Sequence, residues 1–203
     1  MMLLTIETPD DMELLGARIA ARLEAGDLVA LNGELGAGKT TLTRGIGAAL
    51  GVRGAVTSPT FVLARTHPRA SGEAPLVHVD AYRLSSAAEL DDLDIDFDGS
   101  IVVVEWAAGM VHGVADSWLD VDIRRPVGGP TASAGSSGDG TETADDTVVE
   151  NAAVDDTAVE DMVEPRQVTI TGHGPRWRGG AWGKAISGLP VPQPPTPVSG
   201  VDG

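Results

Sequence analysis

The segment Gly33-Glu34-Leu35-Gly36-Ala37-Gly38-Lys39-Thr40 restricts this 203-residue chain more than any other. It matches the pattern Gly-x-x-x-x-Gly-Lys-Thr, in which glycines let successive backbone N–H groups turn inward around phosphate oxygens. The residues before it, Leu28-Val29-Ala30-Leu31, form an unbroken apolar run, as a strand buried on both faces requires. The residues after it place Leu42, Ile46, Ala49 and Leu50 at helical spacing and stop at Gly51. A strand, a glycine loop and a helix in that order put the uncompensated N–H groups and positive dipole end of the helix against the phosphates. The expectation is a nucleoside triphosphate site for ATP or GTP with Mg²⁺. Lys39 would carry the mobile charge to the β and γ phosphates and the Thr40 hydroxyl would ligate the metal.

A hydrolytic site also needs carboxylates at the carboxyl ends of neighbouring strands. Leu76–Val79 and Ile101–Val104 are apolar runs ending in Asp80 and Glu105, which makes both acids candidates for the metal shell. The competing reading is a solvated acid or helix cap at each strand end. Asp91, Asp92, Asp94, Asp96 and Asp98 follow no strand and read as a solvated loop. Thr57-Ser58-Pro59-Thr60-Phe61 falls where a switch segment would report on the γ-phosphate, and equally reads as a turn organised by Pro59.

The remaining pattern predicts an α/β fold in one domain: a central, mostly parallel sheet flanked by helices, of the P-loop NTPase type. Residues 3–7 read as a strand. Thr8-Pro9-Asp10-Asp11 reads as a helix start, with Met12, Leu15, Ile19 and Leu23 on its inner face and Gly26 as its stop. Gly45 and Gly47 inside the second helix, each costing about 1 kcal/mol relative to alanine, imply close packing there. Leu119–Ile123 alternates apolar and acidic residues, as in a strand with one face in water.

Charge divides the chain. The net charge is −16, and ten of the thirty acids lie in residues 127–164, which hold no Lys or Arg; the other residues therefore carry −6. Neither figure gives the basic surface of a protein that grips nucleic acid alone. Rich in Gly, Ser, Thr and Ala as well, 127–164 reads as a disordered acidic insert between the core at 1–126 and a returning strand at 165–172. Residues 173–203 read as a loose tail, in which Arg176, Trp177, Arg178, Trp182 and Lys184 form the one basic and aromatic cluster that could touch RNA. The chain has no cysteine, which excludes disulfides and thiolate metal sites, and His67, His78, His112 and His173 show no ligand spacing. No apolar run reaches the roughly 20 residues that span a bilayer, and the N-terminus has no signal-peptide start, so a soluble cytoplasmic protein is expected.

Taken together, Gly33–Thr41, Ser58-Pro59-Thr60-Phe61, His78-Val79-Asp80-Ala81-Tyr82-Arg83 and Val104-Glu105-Trp106 resemble the TsaE family, the ATPase subunit of the bacterial machinery that makes threonylcarbamoyladenosine on tRNA. The resemblance covers about residues 5–125 and a last strand near 166–171. It implies an Mg²⁺-dependent ATPase, stimulated by a carbamoyl-transferring subunit and that subunit's partner, with tRNA engaged indirectly and no membrane. It further implies that Gly33, Gly36, Ala37, Gly38, Lys39, Thr40 and Thr41 hold the phosphates and that Thr40 and Glu105 bind Mg²⁺. Asp80 would support hydrolysis together with Lys39, Thr60 would be a switch contact, and Trp106 would be packing or an adenine-side wall. Glu34 stands where many members have aspartate, and the insert and tail depart from the family pattern. Arg166 is the candidate for a C-terminal phosphate or base contact. Two rivals remain, a P-loop small-molecule kinase and a nucleotide-sensing module with little turnover; phosphate release with and without partners separates them.

Overall fold

The computed structural model of the chain describes residues 1–125, 164–179, Trp182, Gly183 and Ile186. The acidic stretch expected to be disordered, apart from Glu164, and most of the chain beyond residue 179 lie outside the described residues.

Among the described residues, seven strands and three α-helices follow one another: β1 (Met2–Ile6), α1 (Pro9–Ala20), β2 (Leu28–Gly33), α2 (Lys39–Leu50), β3 (Ala64–His67), β4 (Leu76–Asp80), α3 (Ala87–Asp91), β5 (Ile101–Glu105), β6 (Trp118–Arg124) and β7 (Arg166–His173). The strands form one seven-stranded sheet in the order β1-β7-β6-β2-β5-β4-β3. The sheet is mixed rather than mostly parallel. Its middle, β6-β2-β5-β4, is parallel, whereas β1-β7, β7-β6 and β4-β3 are antiparallel. The parallel middle is the part that helical crossovers must connect, and the antiparallel pairs add the flanks.

Local chemistry sets the first helix. Thr8 caps it by accepting the Asp11 N–H at 3.1 Å, and Pro9 takes the first turn, where no donor is needed. The helix ends at Ala20, six residues before Gly26. Gly26, with φ of 89°, instead turns the chain into β2 and donates its N–H to Ser100 at 2.9 Å. The glycines of α2 do mark close packing. A Cβ on Gly45 would stand 2.0 Å from the Glu13 carbonyl oxygen, and one on Gly16 would stand 2.3 Å from that of Leu42. α1 and α2 therefore meet backbone to backbone, which fixes the start of α2 against the sheet.

Period-two alternation then sorts the strands. Val29, Leu31, Leu76, Ile101 and Val103 face α1 and α2, while Leu28, Ala30, Val77, Val79, Val102 and Val104 pack on the opposite side with Leu90, Ala107 and Val111. Burial of each large aliphatic side chain contributes about 1.5–3 kcal/mol. β6 keeps one face half-exposed, as its acidic alternation predicts. The short edge strand β3 has no alternating signature and escapes sequence reading.

Of the tail expected from residue 173, the described start at 173–179 packs on the body of the fold. β7 runs on to His173, and a 3₁₀ turn at Pro175–Trp177 buries Trp177. Arg176 donates through Nε to Asp27 Oδ1 at 3.1 Å and through Nη2 to the Arg22 carbonyl at 2.9 Å, and Trp182 donates to the Trp177 carbonyl at 2.8 Å. Arg176, Trp177 and Trp182 are thus spent inside the fold, at the end of the sheet where β2 begins, and are not arranged as a free RNA platform. Burial pushes the Asp27 carboxyl above its ordinary value, against the lowering effect of the Glu24 N–H and Arg176. Among the described residues, no helix is long and apolar enough to cross a membrane.

Candidate functional site

The glycine loop joins the carboxyl end of β2 to the first residue of α2, at the end of the parallel strands where open α/β sheets bind ligands. Gly33 closes β2 with φ of 147°, and a Cβ there would stand 2.5 Å from the Ile123 carbonyl oxygen, so this strand end tolerates no side chain. Gly38, with φ of 108°, occupies the N-cap of α2 and supplies no capping side chain. The first N–H groups of the helix are left for an outside acceptor.

Lys39 is buried. Its Nζ donates to the Gly33 and Glu34 carbonyls at 2.9 Å each and lies 3.6 Å from the centre of the Trp106 ring. Burial pushes its ammonium below the ordinary lysine value, with the negative charges of Glu105 and Asp80 pulling it back up. Trp106 holds a left-handed backbone, φ of 60°, and its ring meets Tyr82 edge-on with centroids 5.1 Å apart. The indole is therefore a platform for the lysine in this arrangement.

Next to the lysine, Thr40 Oγ1 donates to Glu105 Oε1 at 2.9 Å, and the same oxygen lies 2.8 Å from His78 Nε2. Glu105 and His78 are both buried. Asp80 and Glu105 end adjacent parallel strands in direct register, and Asp80 Oδ1 accepts the Tyr82 N–H at 3.0 Å. Capping and proximity to Lys39 coexist at Asp80. Thr40, Glu105 and Asp80 offer hydroxyl and carboxylate oxygens, the donor types that a hard divalent cation takes.

The expected residues do not all converge. Lys39, Thr40, Asp80 and Glu105 come together beneath the loop that contains Gly33, Gly36, Ala37 and Gly38, and Thr41 follows on the first turn of α2. Thr60 lies on an exposed lip, in a turn around Pro59 whose carbonyl accepts the Val62 and Leu63 N–H groups at 2.9 Å. Thr60 Oγ1 pairs with Ser58 Oγ at 2.8 Å, and its carbonyl accepts from Arg83. The segment is tied to the carboxylate end of β4 by that bond and by the Asp80 N–H, which donates to the Leu63 carbonyl at 2.8 Å. Of the acidic cluster, Asp91 ends α3 and Asp92–Asp98 follow as a surface loop, Asp96 accepting the Gly99 N–H at 2.9 Å.

Two residues enter that sequence reading did not assign. His78 carried a signal, since alternation along β4 places it on the same face as Asp80. Arg125 carried none. It follows β6, and its Nη2 lies 2.9 Å from where a Cβ on Gly36 would be, so its charge hangs over the loop. Arg166, the residue singled out for a C-terminal contact, is buried and donates to the Glu164 carbonyl; burial, then Arg125, pushes its guanidinium below the ordinary value.

Comparison with known proteins points to one family. The family model described as threonylcarbamoyl adenosine biosynthesis protein TsaE matches residues 6–128. The tRNA threonylcarbamoyladenosine biosynthesis protein TsaE of Streptomyces coelicolor is 49% identical over 169 residues, 82% of this chain and 93% of the relative. The protein of that name from Mycobacterium tuberculosis H37Rv is 48% identical over 130 residues, 60% of this chain and 77% of its own. The one from Bacillus subtilis is 36% identical over 118 residues, 58% and 73% respectively. The crystal structure of YdiB from Bacillus subtilis superposes with a TM-score of 0.57 at 23% identity, covering 92% of this chain and 93% of that one, which is a likeness of fold.

Proposed function

The chain belongs to the TsaE family, and on that premise we propose that it is a P-loop, Mg²⁺-dependent ATPase that supports formation of threonylcarbamoyladenosine on tRNA. The observation that carries this reading is the meeting of Lys39, Thr40, Glu105 and Asp80 under one glycine loop at the carboxyl ends of parallel strands.

The chain's own groups divide the work. The N–H groups around Gly36–Thr41 receive phosphate oxygens, and Lys39 exchanges its two loop carbonyls for the β and γ phosphates. Thr40 and Glu105 would hold Mg²⁺, which supplies positive charge to the transferring phosphoryl group when bound. Arg125, over Gly36, adds a second cation on the opposite flank of the loop. Asp80 keeps one oxygen on the Tyr82 N–H and offers the other to an attacking water. Thr60, joined to that strand end through Leu63 and Arg83, is placed to register whether the γ-phosphate is present. The carbamoyl-transferring subunit and its partner are the proteins this hydrolysis serves, and they would bring the tRNA, since the chain outside the acidic stretch carries −6.

Phosphate release by the purified chain, alone and then with those two subunits, tests the proposal. Stimulation by the subunits is expected. A phosphorylated small metabolite would establish the kinase reading instead, and equal release with and without the subunits would remove the assembly role.

A further inference from the structure

His78 has no place in the hydrolytic scheme, yet it occupies a position where an imidazole is a poor choice for stability. It is fully buried on the α2-facing side of β4, two residues from Leu76 and directly opposite Val103 of β5. Among the described residues its Nδ1 is buried without a hydrogen-bond partner, a cost that an aliphatic side chain would avoid. The other ring nitrogen explains the imidazole. Nε2 lies 2.8 Å from Glu105 Oε1, and because a carboxylate only accepts, the hydrogen is on Nε2.

Glu105 Oε1 thereby takes two donors, His78 Nε2 and Thr40 Oγ1, and among the described residues no hydrogen bond reaches Oε2. Two donors on one oxygen fix the rotation of the carboxylate and set the direction of the free oxygen. The Thr40 hydroxyl is itself a candidate cation ligand and must reorient its lone pairs when a cation arrives. His78, buried and immobile, is the anchor that does not depend on the cation.

We infer that His78 is the positioning residue of the cation site: its Nε2–H holds Glu105 in the one orientation that presents Oε2 to a divalent ion. The inference rests on the nucleotide reading above and adds a residue to it. Hydrogen-bonded partners of metal-ligating groups carry about 10–100-fold in metal affinity or activity, and a carboxylate held from behind falls under the same logic.

The test compares ATP affinity by calorimetry in excess Mg²⁺ and in EDTA, for the full chain and for His78→Leu and His78→Gln. His78→Leu removes the donor while filling the space, and a cooperative thermal transition shows that it folds. Its ATP affinity should fall about tenfold or more in Mg²⁺ and change little in EDTA, because loop N–H groups and Lys39 bind phosphate without Glu105. His78→Gln, whose amide N–H reaches the place of Nε2, should recover most of the Mg²⁺-dependent affinity. Equal losses in both conditions, or no loss in Mg²⁺, would overturn the inference. Should His78→Leu fail to fold, His78→Asn serves with His78→Gln: the shorter amide falls short of Glu105, and the Mg²⁺-specific gap must lie between those two. A parent chain that binds no ATP in either condition would instead overturn the nucleotide reading, and the role of His78 with it.

Discussion

Lys39 and Phe61 flank the same strand ends and are held on opposite terms. Lys39 is 4% exposed, tied to two carbonyls and laid on the Trp106 ring, whereas Phe61 is 94% exposed and Val62 beside it 56%. The floor of the site is over-determined by burial, backbone conformation and charge. The lip at 57–63 is a turn around Pro59 with few ties to the body of the protein, among them Arg65 to Thr57 Oγ1 at 2.7 Å and Arg83 to the Thr60 carbonyl. A floor built this way has its shape set by the chain's own contacts. A lip built this way has its apolar side chains in water and little energy invested in its shape, so its conformation is open to whatever occupies or covers the site.

Four measurements test that contrast, beginning with the largest expected effect. Lys39→Ala removes charge-assisted bonds to phosphate worth about 1.5–3 kcal/mol each, so ATP affinity by calorimetry should fall at least tenfold. Unchanged affinity would mean the floor is not the phosphate site. Gly33→Ala forces a left-handed alanine and drives its Cβ against the Ile123 carbonyl; a stability loss of about 1–3 kcal/mol is expected in urea unfolding. Phe61→Ser on the lip should leave stability within about 0.5 kcal/mol, as for an exposed residue without structural partners, and a larger loss would show the lip to be as firmly built as the floor.

The smallest effect is a proton. Burial holds Lys39 below its ordinary value of 10.5, and a group lowered on folding contributes stability that is present above the ordinary value and lost as pH falls through the lowered one. Phosphate charge beside the ammonium raises it again. ATP binding at a pH just below 10.5 should therefore take up a fraction of a proton, measurable as a dependence of the binding heat on buffer ionisation enthalpy. The parent chain should show this uptake and Lys39→Ala should lose it; equal heats in both would separate Lys39 from the phosphates.

The same contrast governs how far the sequence could be read. Features fixed by neighbours in the chain were legible: the Thr8 cap, the left-handed glycines of the loop, the double-sided burial of β2, and the acids closing β4 and β5. Features fixed across the sheet were not. Arg125 reaches the loop because β6 lies parallel to β2 with Ile123 opposite Gly33, a register no local pattern encodes. The bond from His78 to Glu105 joins two strands 27 residues apart. β3 is four residues long and, among the described residues, pairs on one side only, too short for periodicity to show. The docking of Trp177 beside the start of β2 defeated a composition argument, because Gly and Pro around it signal irregular backbone and not the absence of contacts.

The place of β1 in the sheet has a consequence for synthesis on the ribosome. Among the described residues β1 is an edge strand whose sole neighbour is β7, with Ile6 opposite Arg166. The parallel middle of the sheet can assemble once β6 has emerged, but Met2–Ile6 must wait for a partner 160 residues further on. At ordinary translation rates that delay is about 8–30 s. During it, β1 has no strand to pair with, and Leu3 and Leu4 remain open to any extended chain that passes, which makes this stretch one that a chaperone would shield.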